Sequence, residues 1–427
     1  MASTLVSWMR YDTLLLALIA IVCYLLALLT SSLCVRWVLK EELRSEINSS
    51  ARYATIDGIR GFLAFGVFVH HYVITWVFLR YGFCCAPPHN FENELGRGSV
   101  AIFFMITAFL FWGRTYAKRG LEIKKFFISR VFRIYPLYLL FVCLLFLAVA
   151  YEGNWTAAEP TSAIAKEAVK WFFFHTPIIN RDQGMAFGGV AWTLLYEAWF
   201  YLSLPLLAIV FLQEKAFWKK ALAAGAVAGL FVINHLSVAT ACAFLGGIVA
   251  VYWTLDVQRA KLARSNTATW IALACLACLG LFVYDPFNAA GIALLTVFFV
   301  VISSGNSLFG LLSLPGARWM GDISYSIYLG HGIVLWLVMK VLARIPEFHP
   351  SVLWLAGVGI AMTPLIVLLT SVSYIFIERP CIAMGHQFGK SSHGLFAVQC
   401  GAWTRRQMGR ALAFSLKHVS RAHSSSK

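Results

Sequence analysis

The chain has 427 residues, of which 60% are hydrophobic and only 13% are charged, and its formal net charge is +16. This composition excludes an ordinary soluble globular domain, in which about 25% of residues are charged. Because backbone groups in hydrocarbon must be hydrogen-bonded within the chain, the expected fold class is all-α, a polytopic bundle of membrane helices.

Apolar stretches long enough to cross a bilayer recur along nearly the whole chain. They predict about eleven transmembrane helices. The expected spans are 12–35, 57–79, 98–113, 134–151, 190–212, 216–233, 237–254, 268–284, 287–303, 322–343 and 351–377.

The chain is expected to divide into three parts. Residues 1–52 form an N-terminal transmembrane anchor and a cytoplasmic linker, residues 53–380 form one membrane domain, and residues 381–427 form a basic cytoplasmic tail. The tail is polar and ends in serines, which is typical of an extension of low order.

The basic residues predict how the chain is oriented. Arg36, Lys40 and Arg44 follow the first span, and most of the other lysines and arginines fall in loops on the same side. By the positive-inside rule, the N-terminus lies outside and the C-terminus in the cytoplasm of a multi-pass protein of the cell membrane, expected to be a bacterial inner membrane. Membrane orientation therefore explains the net charge, and no nucleic-acid partner is expected. The ten cysteines show no metal-binding spacing, so no metal is expected either.

Arg60 and His71 lie in the second predicted span and are eleven residues apart. At about 100° per residue both side chains share one helix face, and the rise of about 16 Å puts His71 near the middle of the bilayer. His70 points elsewhere. An ionisable group at that depth is costly and marks a candidate functional site, or else it makes a structural hydrogen bond between helices. Spacing alone leaves both interpretations open.

Arg130 and Arg133 close the most basic predicted cytoplasmic loop and are helix neighbours at i and i+3. Two guanidinium groups there could clamp a polyanion such as the phosphates of coenzyme A. Determination of topology, or binding of lipid headgroups, is the competing interpretation.

Residues 151–189 form the largest predicted external segment, with a short helix over 166–174. A loop of this length is usually functional or disordered. Its aromatic residues Trp171, Phe172 and Phe173 would let it rest on the membrane interface, which favours a functional segment.

The next polar positions inside predicted spans are Glu197 and His331. Helix rise places Glu197 about 8 Å inside the external face, where a carboxylate needs a partner. It could pair with a neighbouring basic residue, hold an acceptor hydroxyl or tune His71. His331 is equally consistent with a packing histidine and with a role in the site.

Together these segments resemble the acyltransferase-3 family of membrane O-acyltransferases. The resemblance rests on Asp57-Gly58-Ile59-Arg60 with His71 eleven residues after the arginine, and on five later segments in the same order. These are Val100 to Leu110, the Arg130/Arg133 segment, Trp192 to Tyr201, Ser324 to His331, and Glu378-Arg379-Pro380. The chain departs from many relatives in its additional first span and in Thr107-Ala108, where a serine-glycine pair is common.

The resemblance implies a ten-helix core and an acyl-CoA donor, with acetyl-CoA favoured, bound at the cytoplasmic side. His71 and Arg60 would be essential site residues, with Glu197 facing the acceptor. Arg130 and Arg133 would bind the donor, and His331 and Tyr196 would bind substrate or support the site. The expected acceptor is a hydroxyl of an extracytoplasmic or lipid-linked glycan, and the expected partners are membrane lipid and that saccharide.

Two alternatives stay open on the sequence alone. Intramembrane His, Arg and Glu residues also mark the polar path of a transporter or flippase. An acyltransferase could instead act on a small molecule that is not a glycan. Consumption of a thioester by the purified protein would separate the enzyme from the transporter.

Overall fold

The secondary structure is helical throughout the part of the chain that the computed structural model describes, residues 2–48, 53–81, 90–152, 160–175, 185–213, 216–342, 344–345 and 351–390. Short π-helical turns at Cys34–Val38, Glu94–Gly98, Ile209–Gln213 and Tyr374–Glu378 interrupt or extend the longer helices. The α-helices, numbered in chain order, are α1 Ala2–Leu33, α2 Glu41–Asn48, α3 Ala54–Tyr81, α4 Asn90–Asn93, α5 Ser99–Lys118, α6 Ile123–Glu152, α7 Thr161–Phe172, α8 Met185–Ala208, α9 Phe217–Ile233, α10 Val238–Ala241, α11 Ala243–Leu255, α12 Val257–Ala263, α13 Asn266–Phe282, α14 Ala289–Ser303, α15 Pro315–Asp322, α16 Ser324–Leu342, α17 Val352–Ser373 and α18 Arg379–Lys390.

Eight helical segments in the described ranges are long and apolar enough to cross a membrane. A ninth is reached if α12 and α13, which meet at a bend of 67°, count as one broken span. The eight are Leu15–Val38, Ala54–Leu79, Asn90–Lys118, Ile123–Tyr151, Val190–Leu212, Val238–Leu255, Ser324–Leu342 and Leu353–Gly389.

The predicted number of eleven spans is therefore not confirmed, although the helical membrane fold is. The difference arises at short helices. Over the predicted span 287–303 the helix α14 has only 15 residues, and over 216–233 the helix α9 has 17. About 20 residues are needed to cross a hydrocarbon layer of about 30 Å.

Close helix packing builds the bundle around α3 and α5. The helix α3 packs against α15 and α16, and α5 packs against α11. A Cβ atom on Gly247 of α11 would collide with the backbone carbonyl of Met105 on α5. Glycine at this position therefore lets the two helices approach closely, as small residues do at membrane helix interfaces.

The first and last described helices also belong to the bundle. The helix α1 packs on α17 and α15, and α18 packs on α6, with the rings of Phe132 and Phe388 stacked at 5.4 Å. Residues 381–390 of the predicted tail are thus helical, whereas 391–427 lie outside the described residues. The division into an anchor, a membrane domain and a tail stays a prediction.

The end of α7 packs against the middle of α6 and not against its C-terminal end, where an interfacial helix would be expected. The hydroxyl of Tyr138 donates to the carbonyl of Trp171 at 2.6 Å, and that of Tyr135 donates to Phe172 at 3.3 Å. Tyr138 lies fourteen residues before Glu152, or about 21 Å along α6. The end of α7 therefore reaches the middle of α6, because Trp171 buries its indole there instead of resting on a surface.

Candidate active site

A cavity of about 330 Å³ opens between α3, α5, α6, α8 and α16. Four of the seven residues that the sequence singled out line this cavity: Arg60, Arg130, Arg133 and Glu197. Arg114, Asp322, Tyr201, Tyr325 and Tyr328 contribute further polar groups to its wall. Since these residues come from six helices, the fold gathers charges that are far apart in the sequence.

Arg60 is held at the cavity wall by the contact between α3 and the α15–α16 corner. Its Nη2 donates to Ser324 Oγ at 3.1 Å, and its Nη1 lies 3.9 Å from Asp57 Oδ1. A Cβ on Gly61 would collide with the backbone of Met320 and Gly321, so this glycine lets α3 come near enough for the contact.

Arg133 is neutralised by a buried carboxylate. Its Nη1 lies 2.5 Å from Glu378 Oε1, and the side chain of Glu378 is fully buried. Ser326 Oγ donates to the second carboxylate oxygen at 2.8 Å. The Arg133 guanidinium also lies over the ring of Tyr325, 5.7 Å from its centroid. This arginine is therefore engaged inside the protein.

Arg130 is engaged differently. Its guanidinium lies 4.7 Å from the centroid of the Phe111 ring, a cation–π arrangement, and its Nη2 donates to Ser129 Oγ at 3.3 Å. Its Nε is buried and has no hydrogen-bond partner among the described residues. Arg130 thus keeps a donor that an anionic ligand could satisfy, whereas Arg133 has a buried counterion.

Glu197 shares the cavity with these arginines. Tyr201 Oη donates to Glu197 Oε2 at 2.9 Å, and both side chains line the cavity together with Arg130. Glu197 therefore lies in one cavity with the arginines, which fits the interpretation that it pairs with a neighbouring basic residue. The apolar span that holds it is Val190–Leu212, as predicted, and its depth below the external face stays a prediction.

His71 and His331 contact each other but lie outside the lining of the cavity. His331 Nε2 is 3.3 Å from His71 Nδ1, and the ring centroids are 5.1 Å apart. Tyr328, which does line the cavity, has its ring 6.4 Å from that of His331. The histidine pair therefore lies one side chain behind the cavity wall.

Tyr196 is buried outside the cavity lining as well. Its hydroxyl accepts a hydrogen bond from the backbone N–H of Ser237 at 2.8 Å, and its ring packs on Phe104 at 5.7 Å. These contacts attach α8 to the start of α10. Tyr196 is thus placed to support the fold around the site.

Asp322 is a polar residue of the cavity that the sequence analysis did not single out. It ends α15, two residues before the span that begins at Ser324. Burial raises the pKa of Asp322 to about 7, and the carboxylate of Asp57 adds to the rise, while Arg60 and Arg133 oppose it. Nothing in the local sequence marks this residue, because its partners come from other helices.

A second cavity, of about 390 Å³, lies between α6, the end of α7, α8 and α9. It shares Arg130, Ile134 and Tyr201 with the first cavity. Most of its wall is apolar, and Val131 and Leu202 at its edge are 48% and 50% exposed. Because both residues lie in membrane-spanning segments, this cavity faces the lipid side of the bundle.

The comparison with known families decides the class of protein. The sequence profile described as "Acyltransferase domain" matches residues 53–371, which is most of the chain and includes every predicted site residue. The chain belongs to the acyltransferase-3 family. The protein is therefore an acyltransferase, and its apolar helices make it a membrane enzyme.

Its relatives include proteins named for modification of surface saccharides. The chain is 25% identical over 372 residues to "Peptidoglycan O-acetyltransferase OatA" of Listeria monocytogenes, covering 76% of this chain and 55% of that protein. It is 24% identical over 313 residues to "Exopolysaccharide production protein ExoZ" of Rhizobium meliloti, covering 70% and 92%. It is 26% identical over 374 residues to "Nodulation protein 10" of Rhizobium leguminosarum, covering 80% and 96%. The acyltransferase thus spans about half the length of the Listeria protein, and no solved structure matches it.

Proposed function

We propose that this acyltransferase transfers an acyl group, with acetyl favoured, from cytoplasmic acyl-CoA to a hydroxyl of an extracytoplasmic or lipid-linked glycan. The observation that carries the proposal is the cavity in which Arg60, Arg130 and Glu197 meet, one side chain away from the His71–His331 pair. Family membership supplies the reaction class, and the names of the relatives support a saccharide acceptor.

The donor would bind through its phosphates at the arginine side of the cavity. Arg130 has an unsatisfied donor there, and Arg114, which is exposed, extends the positive wall. A guanidinium binds phosphate oxygens bidentately, so Arg130 and Arg60 fit a polyanionic substrate. Arg133 would contribute to donor binding by forming part of the cavity wall, since Glu378 already balances its charge.

The acyl-transfer step needs a base and a group that stabilises the negative charge on oxygen. In direct transfer, the acceptor oxygen attacks the thioester carbonyl carbon while His71 takes the hydroxyl proton. The C–S bond then breaks, and the proton passes to the departing thiolate of coenzyme A. In the relay version, His71 attacks the thioester carbonyl carbon, the C–S bond breaks, and coenzyme A leaves as the thiolate, which takes the imidazole proton. The acceptor oxygen then attacks the acyl-imidazole, the C–N bond breaks, and the hydroxyl proton passes to the released imidazole. Arg60 would stabilise the oxyanion in either route.

Glu197 would orient the acceptor. Its carboxylate is held by Tyr201, and it faces the same cavity as the donor-binding arginines. Both substrates would therefore meet in one cavity, and the carboxylate would accept a hydrogen bond from a sugar hydroxyl.

The second cavity favours the lipid-linked form of the acceptor. Its apolar wall faces the lipid side of the bundle, and its polar end is the Arg130–Tyr201 wall of the first cavity. An alkyl chain in the second cavity would place an attached saccharide near the first.

The proposed sidedness can be tested with single cysteines on a cysteine-free background. A cysteine at Lys124, at the start of α6, should resist a membrane-impermeant thiol reagent in intact cells. A cysteine at Pro160, before α7, should react. Labelling at position 124 would place the donor side outside and overturn the orientation.

The reaction class can be tested with the purified protein in proteoliposomes. Release of free thiol from acyl-CoA should require the wild-type chain and a saccharide acceptor, or water as a slow substitute. If the thioester stays intact while a polar solute crosses the bilayer, the protein is a transporter and the proposal fails.

A further inference from the structure

The imidazoles of His71 on α3 and His331 on α16 contact each other inside the bundle, with their planes tilted by 39°. His331 Nε2 lies 3.3 Å from His71 Nδ1. Each ring also contacts a carbonyl one turn earlier in its own helix, His71 Nδ1 at 2.9 Å from Val67 O and His331 Nδ1 at 2.9 Å from Ile327 O. Each contact joins a ring nitrogen to an atom whose donor or acceptor character can be stated.

His331 is the simpler of the two rings. A backbone carbonyl can only accept a hydrogen bond, so the Nδ1 that faces Ile327 O must carry a proton. A neutral imidazole has one proton, and its other nitrogen has a lone pair. The Nε2 of neutral His331 is therefore an acceptor, and it points at His71.

His71 Nδ1 thus lies between two acceptors, Val67 O and His331 Nε2. Only a protonated Nδ1 satisfies both of them, in a hydrogen bond shared between the two. The lone pair of neutral His71 must then be on Nε2. His70, whose Nδ1 contacts Glu92 O at 2.8 Å, takes no part in this arrangement.

We infer that His331 is a positioning residue for His71: its Nε2 accepts from His71 Nδ1–H, so that His71 presents Nε2 as the basic and nucleophilic nitrogen. The inference rests on the proposed function for its consequence in acyl transfer, but not for the hydrogen bond itself. Catalytic histidines are commonly oriented in this way by an acceptor at the opposite ring nitrogen.

The arrangement also specifies where the proton goes. When His71 Nε2 takes the proton of the acceptor hydroxyl, the ring becomes an imidazolium, and its Nδ1–H strengthens its bond to the His331 lone pair. The proton leaves again from Nε2 to the thiolate of coenzyme A. His331 stays neutral throughout, and no atom of it bonds to substrate.

The hydrogen bond can be measured by nitrogen-15 solid-state NMR on the full chain in bilayers, with labelled histidine and with His71→Gln and His331→Gln used for assignment. We expect His331 to show a protonated Nδ1 and an unprotonated Nε2, with a scalar coupling from that Nε2 to His71 Nδ1. A protonated His331 Nε2, or no coupling between the rings, would overturn the inference. The coupling itself is measured in the wild-type protein, and the two variants serve only to assign its signals.

The positioning role is tested by two substitutions that differ in one property. A glutamine at position 331 can place its amide oxygen near the former Nε2 and accept from His71, whereas a phenylalanine cannot. We expect His331→Phe to lower kcat by about 10- to 100-fold, the range found for removal of outer partners of functional histidines at metal sites. His331→Gln should recover most of that loss, with the KM for acyl-CoA unchanged in both.

Equal loss of kcat in the two variants would show that the acceptor is irrelevant and would refute the positioning role. Absence of acyl transfer in the wild type is a separate outcome. It would overturn the proposed function while the coupling between the two rings still decides the hydrogen bond.

Discussion

The guanidinium of Arg133 on α6 forms a 2.5 Å ion pair with Glu378, in the π-helical turn that follows α17. The two residues are separated by most of the chain, and their contact links two of the family's motif segments. The ion pair also distinguishes Arg133 from Arg130, because Arg130 has no such carboxylate among its described contacts.

Removing Glu378 should destabilise the protein. Glu378→Ala leaves the guanidinium of Arg133 without its counterion, and a broken buried pair costs about 3 to 5 kcal/mol. We expect a clear fall in the midpoint of thermal unfolding in detergent. The double variant Arg133→Met with Glu378→Met should recover part of it, since replacing both charges removes the unpaired one.

The exposed pair between Arg379 and Glu46 is the matched control for this prediction. Its carboxylate side chain is 65% exposed, so Glu46→Ala should cost less than about 1 kcal/mol. Equal shifts for Glu46→Ala and Glu378→Ala would contradict the buried pair.

Arg130→Lys should weaken donor binding without lowering stability. Lysine keeps the positive charge but loses the planar fork, and loss of one charge-assisted hydrogen bond costs about 1.5 kcal/mol or more. The apparent KM for acyl-CoA should therefore rise about tenfold if binding is in rapid equilibrium. Wild-type donor kinetics in this variant would make Arg130 a topology determinant only.

Donor binding should weaken as pH rises through 7. Below about pH 7 Asp322 is neutral, and above it the carboxylate adds negative charge to the cavity beside Asp57, Arg60, Arg133 and Glu378. The phosphates of the donor are then repelled. The KM for acyl-CoA should increase between pH 6 and pH 8 in the wild type.

Asp322→Asn is the control for this pH effect. It removes the titrating group, so only the ionisation of the donor itself should remain in its profile. Identical profiles for the variant and the wild type would exclude Asp322 as the source.

His71→Ala should abolish acyl transfer, with a loss of at least about 100-fold, the usual contribution of a general base. His70→Ala should keep most of its activity per folded molecule. It should nevertheless be less stable, because the ring of His70 is buried, hydrogen-bonds Glu92 and packs on Gly96. Equal activity losses in His71→Ala and His70→Ala, at equal folded abundance, would refute the assignment of His71 as the general base.

Filling the second cavity should affect lipid-linked acceptors alone. Ala198→Trp places an indole in the cavity between α6 and α8, so the KM for a lipid-linked acceptor should rise while that for a short soluble saccharide stays unchanged. Leu222→Trp, on the exposed face of α9, is the matched control and should change neither. A rise for both acceptors would mean that the substitution distorts the first cavity instead.

The sequence predicted the helical membrane fold and four residues of the cavity, since hydrophobic length and charges inside apolar stretches are local signals. It did not predict the number of spans, because α9 and α14 are apolar but short. It did predict the span that holds Glu197, 190–212, because that stretch is long and apolar.

The pairings inside the site could not be predicted at all. Arg133 with Glu378, and His71 with His331, are contacts between distant helices, and spacing along one helix says nothing about them. Asp322 was not predicted as a site residue because its raised pKa arises from burial and from charged residues on other helices.

Transfer of label in inverted membrane vesicles tests the central claim most directly. Acetyl-CoA carrying an isotopic label in its acetyl group is supplied on the cytoplasmic face, and the surface or lipid-linked saccharide is analysed by mass spectrometry. The account predicts labelled O-acetyl groups with the wild type and none with His71→Ala at equal abundance. Unlabelled saccharide together with intact acetyl-CoA in the wild-type vesicles would contradict it.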